Sequence, residues 1–368
     1  MRCLALLAAL FYFVAEASFA KKKKTEEELT QKLEIPKDPP SAVTAGTNRL
    51  VFHVSPLSGK GLLSQQVRDA LKALVKSNGG ASIVKLRAFV AGSGDLRRVQ
   101  AIVSETFTER KVALPALSVV QVGGLPFEAA QVVIESIAVA KKEVNPHGLL
   151  FVSGQASLND NPIGPVASLV QLSADSLNRA IAGSGAALKD VLRVTCFVSS
   201  LQDIAEVRSK IRSYYPTGAL NVVQAQRAPM RGISECEAVV RLPKAVDGVE
   251  LGNPGGLTAS PNYSQVAAVS APKVALTGTQ SAYGFADGDA RLAFQRLGKA
   301  LEAVGSSFGD VVMSSIYPLS TSIRDQVSKI RFEFYDRKRP PASTVLLFEG
   351  LPSMDAGFAV DVVAIPKK

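Results

Sequence analysis

A twelve-residue block occurs three times in this chain and constrains any fold it can adopt. It reads PALSVVQVGGLP from Pro115 to Pro126, GALNVVQAQRAP from Gly218 to Pro229 and PASTVLLFEGLP from Pro341 to Pro352. Self-similarity at long period marks a chain assembled from one structural unit used repeatedly. Each block has apolar, β-branched residues near its centre and ends in proline, which predicts a strand closed by a turn. A second strand is predicted after each block, over Val132–Val139, Ser234–Val240 and Ala359–Ile365. Each carries one acid in an apolar setting: Glu135, Glu237 and Asp361, which lie nine, eight and nine residues beyond the closing proline.

The order upstream of each block is also shared. A strand comes first, over Leu50–Val54, Leu149–Ser153 and Val274–Thr277. A helix follows. Leu63, Val67, Leu71 and Leu74 fall on one face before Asn78-Gly79-Gly80; Leu169, Leu172, Leu177 and Ile181 run to Gly183; Phe294, Leu297, Leu301 and Val304 run to Gly305. Apolar residues at helical spacing with a glycine stop predict amphipathic helices. Another strand (Ile83–Val90, Val191–Val198, Val311–Tyr317) and another helix (Leu96–Phe107, Ile204–Tyr215, Ile323–Tyr335) complete the unit. Each copy therefore reads β-α-β-α-β-β. Helices on one face of a sheet leave the other face to be covered, and three such faces can cover one another. The fold class expected is α+β, three modules assembled as an intramolecular pseudo-trimer that stays monomeric. The modules are placed at 48–144, 145–246 and 261–368, with a linker at 247–260 where Gly, Pro and Asn accumulate.

The N-terminus reads differently. Arg2 precedes an apolar run from Leu4 to Ala15, too short to span a bilayer, and Ser18-Phe19-Ala20 offers small residues for cleavage. Residues 1–20 are read as a secretory signal peptide, the alternative being an uncleaved anchor. The mature chain would then be secreted or periplasmic and meet a membrane only through the cleaved signal. Residues 21–47, with Lys21–Lys24, Glu26–Glu28, Pro36, Pro39 and Pro40, are read as a charged, flexible tail.

A net charge of +10 favours anionic partners. The chain has no Trp and no basic segment interleaved with aromatics, so nucleic acid is not an expected partner. Only His53 and His147 are present, with Cys196 and Cys236 beyond the signal, so neither a metal cluster nor a cofactor is expected. Both cysteines fall on the strand face expected to meet the helix layer of the second module; they either pair or stay as buried thiols.

These residues resemble the RidA/YjgF family. Its members carry a Pro-Tyr-Ser-Gln-like opening, a strand ending Phe-Val-Ser-Gly-Gln, a Pro-Ala-Arg-Ser block and an acid-bearing last strand. Pro261-Asn262-Tyr263-Ser264-Gln265 opens the third copy, Phe151-Val152-Ser153-Gly154-Gln155 stands in the second, and Thr277-Gly278-Thr279-Gln280 echoes it in the third. Pro341-Ala342-Ser343-Thr344 matches the block with Ser in place of Arg. The first copy matches less closely, since its first strand lacks the Ser-Gly-Gln end.

The resemblance implies a chorismate-mutase-like trimer whose inter-subunit clefts hydrolyse enamines and imines of amino acids without a metal. The last-strand acid would activate water, and the block Arg would hold the substrate carboxylate. The acids Glu135, Glu237 and Asp361 fall on the catalytic position. The Arg position holds Leu117, Leu220 and Ser343. Loss of a charge-assisted hydrogen bond costs about 1.5–3 kcal/mol, so ordinary 2-imino acid deamination is not expected, and a less charged metabolite is. The acids either serve such chemistry or hold strands and interfaces together. Ser153, Gly154 and Tyr263 are candidate ligand contacts, with Tyr263 alternatively packed at a module join. Arg227 and Arg231, flanking Pro229, either substitute for the missing cation or remain solvated. The competing reading is a non-catalytic scaffold of the cell envelope.

Overall fold

A computed structural model describes residues 35–92 and 94–367. The proposed signal and the Lys21–Lys24 and Glu26–Glu28 runs lie outside the described residues.

The chain order is β1 (Ala42–Gly46), β2 (Leu50–Val54), α1 (Leu63–Ser77), β3 (Ser82–Ala91), α2 (Leu96–Glu109), β4 (Ala116–Val122), β5 (Val132–Val139), β6 (Leu149–Asn159), α3 (Ala167–Gly183), β7 (Val191–Val198), α4 (Ile204–Tyr214), β8 (Ala219–Gln224), β9 (Gly232–Arg241), β10 (Val249–Gly252), β11 (Val266–Val269), β12 (Lys273–Thr277), β13 (Gln280–Tyr283), α5 (Asp287–Glu302), β14 (Val311–Pro318), α6 (Thr321–Ile330), β15 (Ala342–Val345) and β16 (Ala356–Ala364). The result is a mixed α+β architecture with three sheets. The first has the order β2-β5-β3-β4, the second β10-β11-β6-β9-β7-β8, and the third β1-β12-β16-β14-β15 with β13 also on β16. In every sheet the acid-bearing strand lies between two antiparallel neighbours, and the strand from the repeated block runs parallel at one side.

One face of each sheet is covered by its own two helices. Val67, Leu71 and Leu74 of α1 pack with Val99, Ile102 and Val103 of α2 over the first sheet. Helix α1 stops where Gly79 and Gly80 take positive φ, a conformation that costs glycine little. Equivalent cores form under α3 and α4 and under α5 and α6. Cys196 and Cys236 sit directly opposite each other on β7 and β9 in the second of these cores and are disulfide-bonded.

The opposite faces of the three sheets meet one another. Phe89, Phe197, Tyr317 and Phe348, drawn from all three sheets, form one aromatic cluster with centroids 5.2–6.5 Å apart. Phe52, Phe151, Leu276 and Met313 form a second apolar layer, again from three sheets. Strand alternation places charged residues between them: Lys85 and Arg87 precede Phe89 at period two on β3, and Arg193 and Thr195 precede Phe197 on β7.

Three segments differ from the sequence reading. Ala42–Gly46, placed in the flexible tail, is strand β1 and pairs with β12 of the third sheet. Val249–Gly252, placed in the linker, is strand β10. Val266–Val269, placed in the third module, pairs with β6 of the second sheet. Each is four or five residues long and built from small or mixed residues, too short for a period to show; each covers a sheet edge that would otherwise expose unpaired backbone. The helix predicted to Tyr335 ends at Ile330 and continues as a single 3-10 turn, Arg331–Glu333.

Candidate functional site

The last-strand acids are locked in the charged layer. Arg87 donates from Nε to Glu135 Oε2 at 2.9 Å and from Nη2 to Glu237 Oε1 at 2.6 Å, joining the first sheet to the second. Arg193 stands 3.4 Å from Glu135 and 3.5 Å from Glu237. Thr195 Oγ1 donates to Glu135 at 2.6 Å and Asn221 Nδ2 at 2.8 Å. Burial opposes ionisation of Glu135, but the two guanidiniums and these two hydrogen bonds hold its carboxyl at about 2. Asp361 accepts from Ser118 at 2.5 Å and Tyr317 at 3.1 Å, with Lys85 Nζ 3.5 Å away. Three cations face three acids, around a space of only ≈ 50 Å³. That holds little more than water, so this layer is an ion-paired core.

Three larger clefts open between the sheets. The first, ≈ 370 Å³, lies between Val54–Leu57 and Leu220–Val222. The second, ≈ 220 Å³, lies between Leu117 and the segment Gly278–Gln280. The third, ≈ 560 Å³, lies between the second and third sheets and is walled by Leu158, Met230, Ile233, Leu346 and Leu347, with Arg231, Arg324 and Glu235 as its charged residues. Of the four buried acids among the described residues, Glu235 alone has no cation within ion-pair distance. Burial first, and then the Glu237 carboxylate two residues on, push Glu235 up to about 8, against one hydrogen bond from the Val345 backbone. At neutral pH it is a protonated acid at the base of a half-apolar cleft, the arrangement that makes a carboxyl a proton donor.

Outside the lining of this cleft, the second sheet meets the third through a chain of hydrogen bonds. Ser153 Oγ donates to Ser264 O at 2.6 Å and accepts from Ser343 N at 2.8 Å. Gly154 N donates to Thr344 Oγ1 at 3.2 Å. A Cβ on Gly154 would collide with the Glu235 carboxyl, so only glycine leaves that acid its place.

The family model described as Endoribonuclease L-PSP matches residues 56–140 and again 141–245. The chain belongs to this family, that of the RidA/YjgF proteins. Among solved structures, it is similar to a YjgF family member from Neisseria meningitidis (12% identity, covering 33% of this chain and 96% of that one, TM-score 0.25). It is also similar to a YjgF/YER057c/UK114 family member from Mycobacterium tuberculosis (18%, covering 32% and 99%, TM-score 0.24) and to a protein titled a translation initiation inhibitor from Vibrio vulnificus (26%, covering 29% and 98%, TM-score 0.23). No curated protein matches the chain. The family assignment rests on the two matched segments.

Against the RidA/YjgF pattern, the structure separates the residues the sequence grouped. Glu135, Glu237 and Asp361 lie in the ion-paired layer. Leu117 packs into the helix-side core of the first sheet, and Leu220 packs against that of the second; each also walls a cleft. Arg227 pairs with Glu349 at 3.0 Å on the surface, whereas Arg231 lines the ≈ 560 Å³ cleft without an acid partner among the described residues. Ser153, Gly154, Tyr263 and Ser343 come together at the junction of the second and third sheets. Tyr263 is half-buried and within electrostatic reach of Glu235. Sequence reading passed over Lys85, Arg87 and Arg193, although their period-two placement before an aromatic residue recurs on β3 and β7. It also passed over Glu235, whose signal was a second acid two residues before Glu237 on one strand face.

Proposed function

We propose that the three sheets are RidA-like modules forming an intramolecular pseudo-trimer, and that the cleft between the second and third modules binds a small metabolite. In this reading Glu235 protonates an imine nitrogen (an enamine first tautomerises to the imine) while water adds to the imine carbon; the proton released by that water passes through the Glu235 carboxylate to the amine nitrogen, and ammonia leaves as the carbonyl forms. The observation that carries it is Glu235 itself, a buried carboxyl with no cation within ion-pair distance among the described residues, set against Gly154 and lining the ≈ 560 Å³ cleft. The last-strand acids hold the assembly together, and the other two clefts are walled by leucine. The leader-like segment before Lys21 and the Cys196–Cys236 disulfide support an exported protein. A scaffold role is favoured by one observation, the consumption of all three last-strand acids in ion pairs.

The test is ammonia release from freshly generated 2-iminopropanoate and 2-iminobutanoate. Release above the buffer rate that is lost in Glu235→Gln supports the reading. No release by the folded wild type sinks hydrolysis and leaves a binding or scaffold role.

A further inference from the structure

The three sheets place matching residues on their first core strands. Leu50, Leu149 and Val274 share one apolar layer, and so do Phe52, Phe151 and Leu276 two residues on. In two of the sheets a short antiparallel strand lies on the outer edge of that strand. β11 lies on β6, with Ala267 opposite Phe151 and Ser153 N donating to Gln265 O at 3.0 Å. β1 lies on β12, with Val43 opposite Leu276 and Gly278 N donating to Ser41 O at 2.9 Å. In the first sheet β2 is outermost and pairs with β5 alone among the described residues. Arg49 O accepts from Ala140 N and Ser55 N donates to Ile134 O, so the odd-numbered residues turn their peptide groups towards β5. Leu50, Phe52 and Val54 turn theirs outward. Leu50 N donates to Thr47 O, and Leu50 O accepts from Asn145 Nδ2 at 2.8 Å. The peptide groups of Phe52 and Val54 have no protein partner on this edge among the described residues.

Side-chain burial agrees. Val51 and His53, on the helix side of β2, are half-buried, whereas Leu150, Val152, Ala275 and Thr277 at the matching positions are wholly buried. Connectivity explains the difference. Residues 242–265 are a long enough connection to bring β11 to β6, but β5 is joined to β6 by residues 140–148 alone, and that join ends in hydrogen bonds to Asn48 and Leu50. An open strand edge is a template for another strand. We propose that the β2 edge receives an extended segment of a partner polypeptide, antiparallel to β2 and carrying small apolar residues. The strands on the two matching edges define that chemistry: β1 reads AVTAG and β11 reads VAAV, with nothing larger than valine in either. Main-chain hydrogen bonds to Phe52 and Val54 supply the affinity, and the alternating small side chains set the fit. A second copy's β2 is the poorer occupant, because each copy brings its own join, through Asn145, against Leu50 of the same five-residue strand.

The test is amide hydrogen exchange of the whole protein, read by NMR with and without the synthetic peptide SAVTAGT, the sequence of residues 41–47. In the free protein the amides of Phe52 and Val54 should exchange fast, while those of Phe151 and Leu276 are protected. Excess peptide should slow Phe52 and Val54 several-fold. In β1 the peptide groups of Ser41, Val43 and Ala45 face the neighbouring strand and that of Thr44 faces away. Methylating the Val43 nitrogen of the peptide should therefore abolish the effect, and methylating the Thr44 nitrogen should spare it. Protection of Phe52 and Val54 in the free protein overturns the proposal, since the edge is then covered already, by the chain's own residues or by a second copy. Equal action of the two methylated peptides overturns it too, as does no slowing by either SAVTAGT or SQVAAVSA, the sequence of residues 264–271.

Discussion

Arg87→Met removes the guanidinium that ties Glu135 of the first sheet to Glu237 of the second, and the structure sets the size of the effect. Its contacts with the two acids are 2.6–2.9 Å long and buried, and breaking a buried pair from one side costs about 3–5 kcal/mol because the partner charge is stranded. Glu135 gives an independent figure. Its carboxyl lies at about 2 against an ordinary 4.5, worth about 3 kcal/mol at neutral pH. Its folded value is depressed, so this contribution is present above pH 4.5 and is lost as pH falls towards 2. Arg193 stays at 3.4 and 3.5 Å from the two acids, which places the loss near the lower end of the range. The assay is guanidinium denaturation of wild type, Arg87→Met and Arg87→Met/Glu135→Gln at pH 7. The double variant should recover part of the loss. A loss below about 1 kcal/mol for Arg87→Met would falsify the account of this layer as a structural ion cluster.

Other consequences follow from the same geometry. Glu235 has a raised folded value of about 8, so its neutral form stabilises the fold below pH 4.5 and that contribution declines as pH rises to 8. Glu235→Gln should match wild type near pH 5 and exceed it at pH 9 by several kcal/mol, as read from denaturation midpoints; identical pH profiles would contradict this. Gly154→Ala should displace the Glu235 carboxyl and lower any ligand affinity of the largest cleft, with little effect in the cleft walled by Leu117; calorimetry on the variant reads this directly. Reducing the Cys196–Cys236 bond, which closes a separation of 40 residues, should cost up to about 4 kcal/mol; unchanged stability in dithiothreitol would show that the bond contributes nothing.

The repeated architecture was legible because period and punctuation agree three times over: the helical faces from Leu63, Leu169 and Phe294, and the proline-closed strands ending at Pro126, Pro229 and Pro352. The strands at Ala42–Gly46, Val249–Gly252 and Val266–Val269 were not legible. Their partners lie elsewhere in the chain, and four or five residues carry no periodicity. The acids Glu135, Glu237 and Asp361 were legible as a recurring position, but not their ion pairing, because the cations beside them come from distant strands. Arg87 and Glu237, for instance, are joined only by folding, at a sequence separation of 150.

The proposal that the cleft between the second and third sheets is a working site comes down to the ionisation of Glu235. Carbon-13 NMR of side-chain carboxyls in glutamate-labelled protein, with Glu235→Gln for assignment, measures it. The expected result is a resonance titrating at about 8 that shifts when freshly generated 2-iminobutanoate is added. A Glu235 resonance titrating in the ordinary carboxylate range, and indifferent to the ligand, would contradict it.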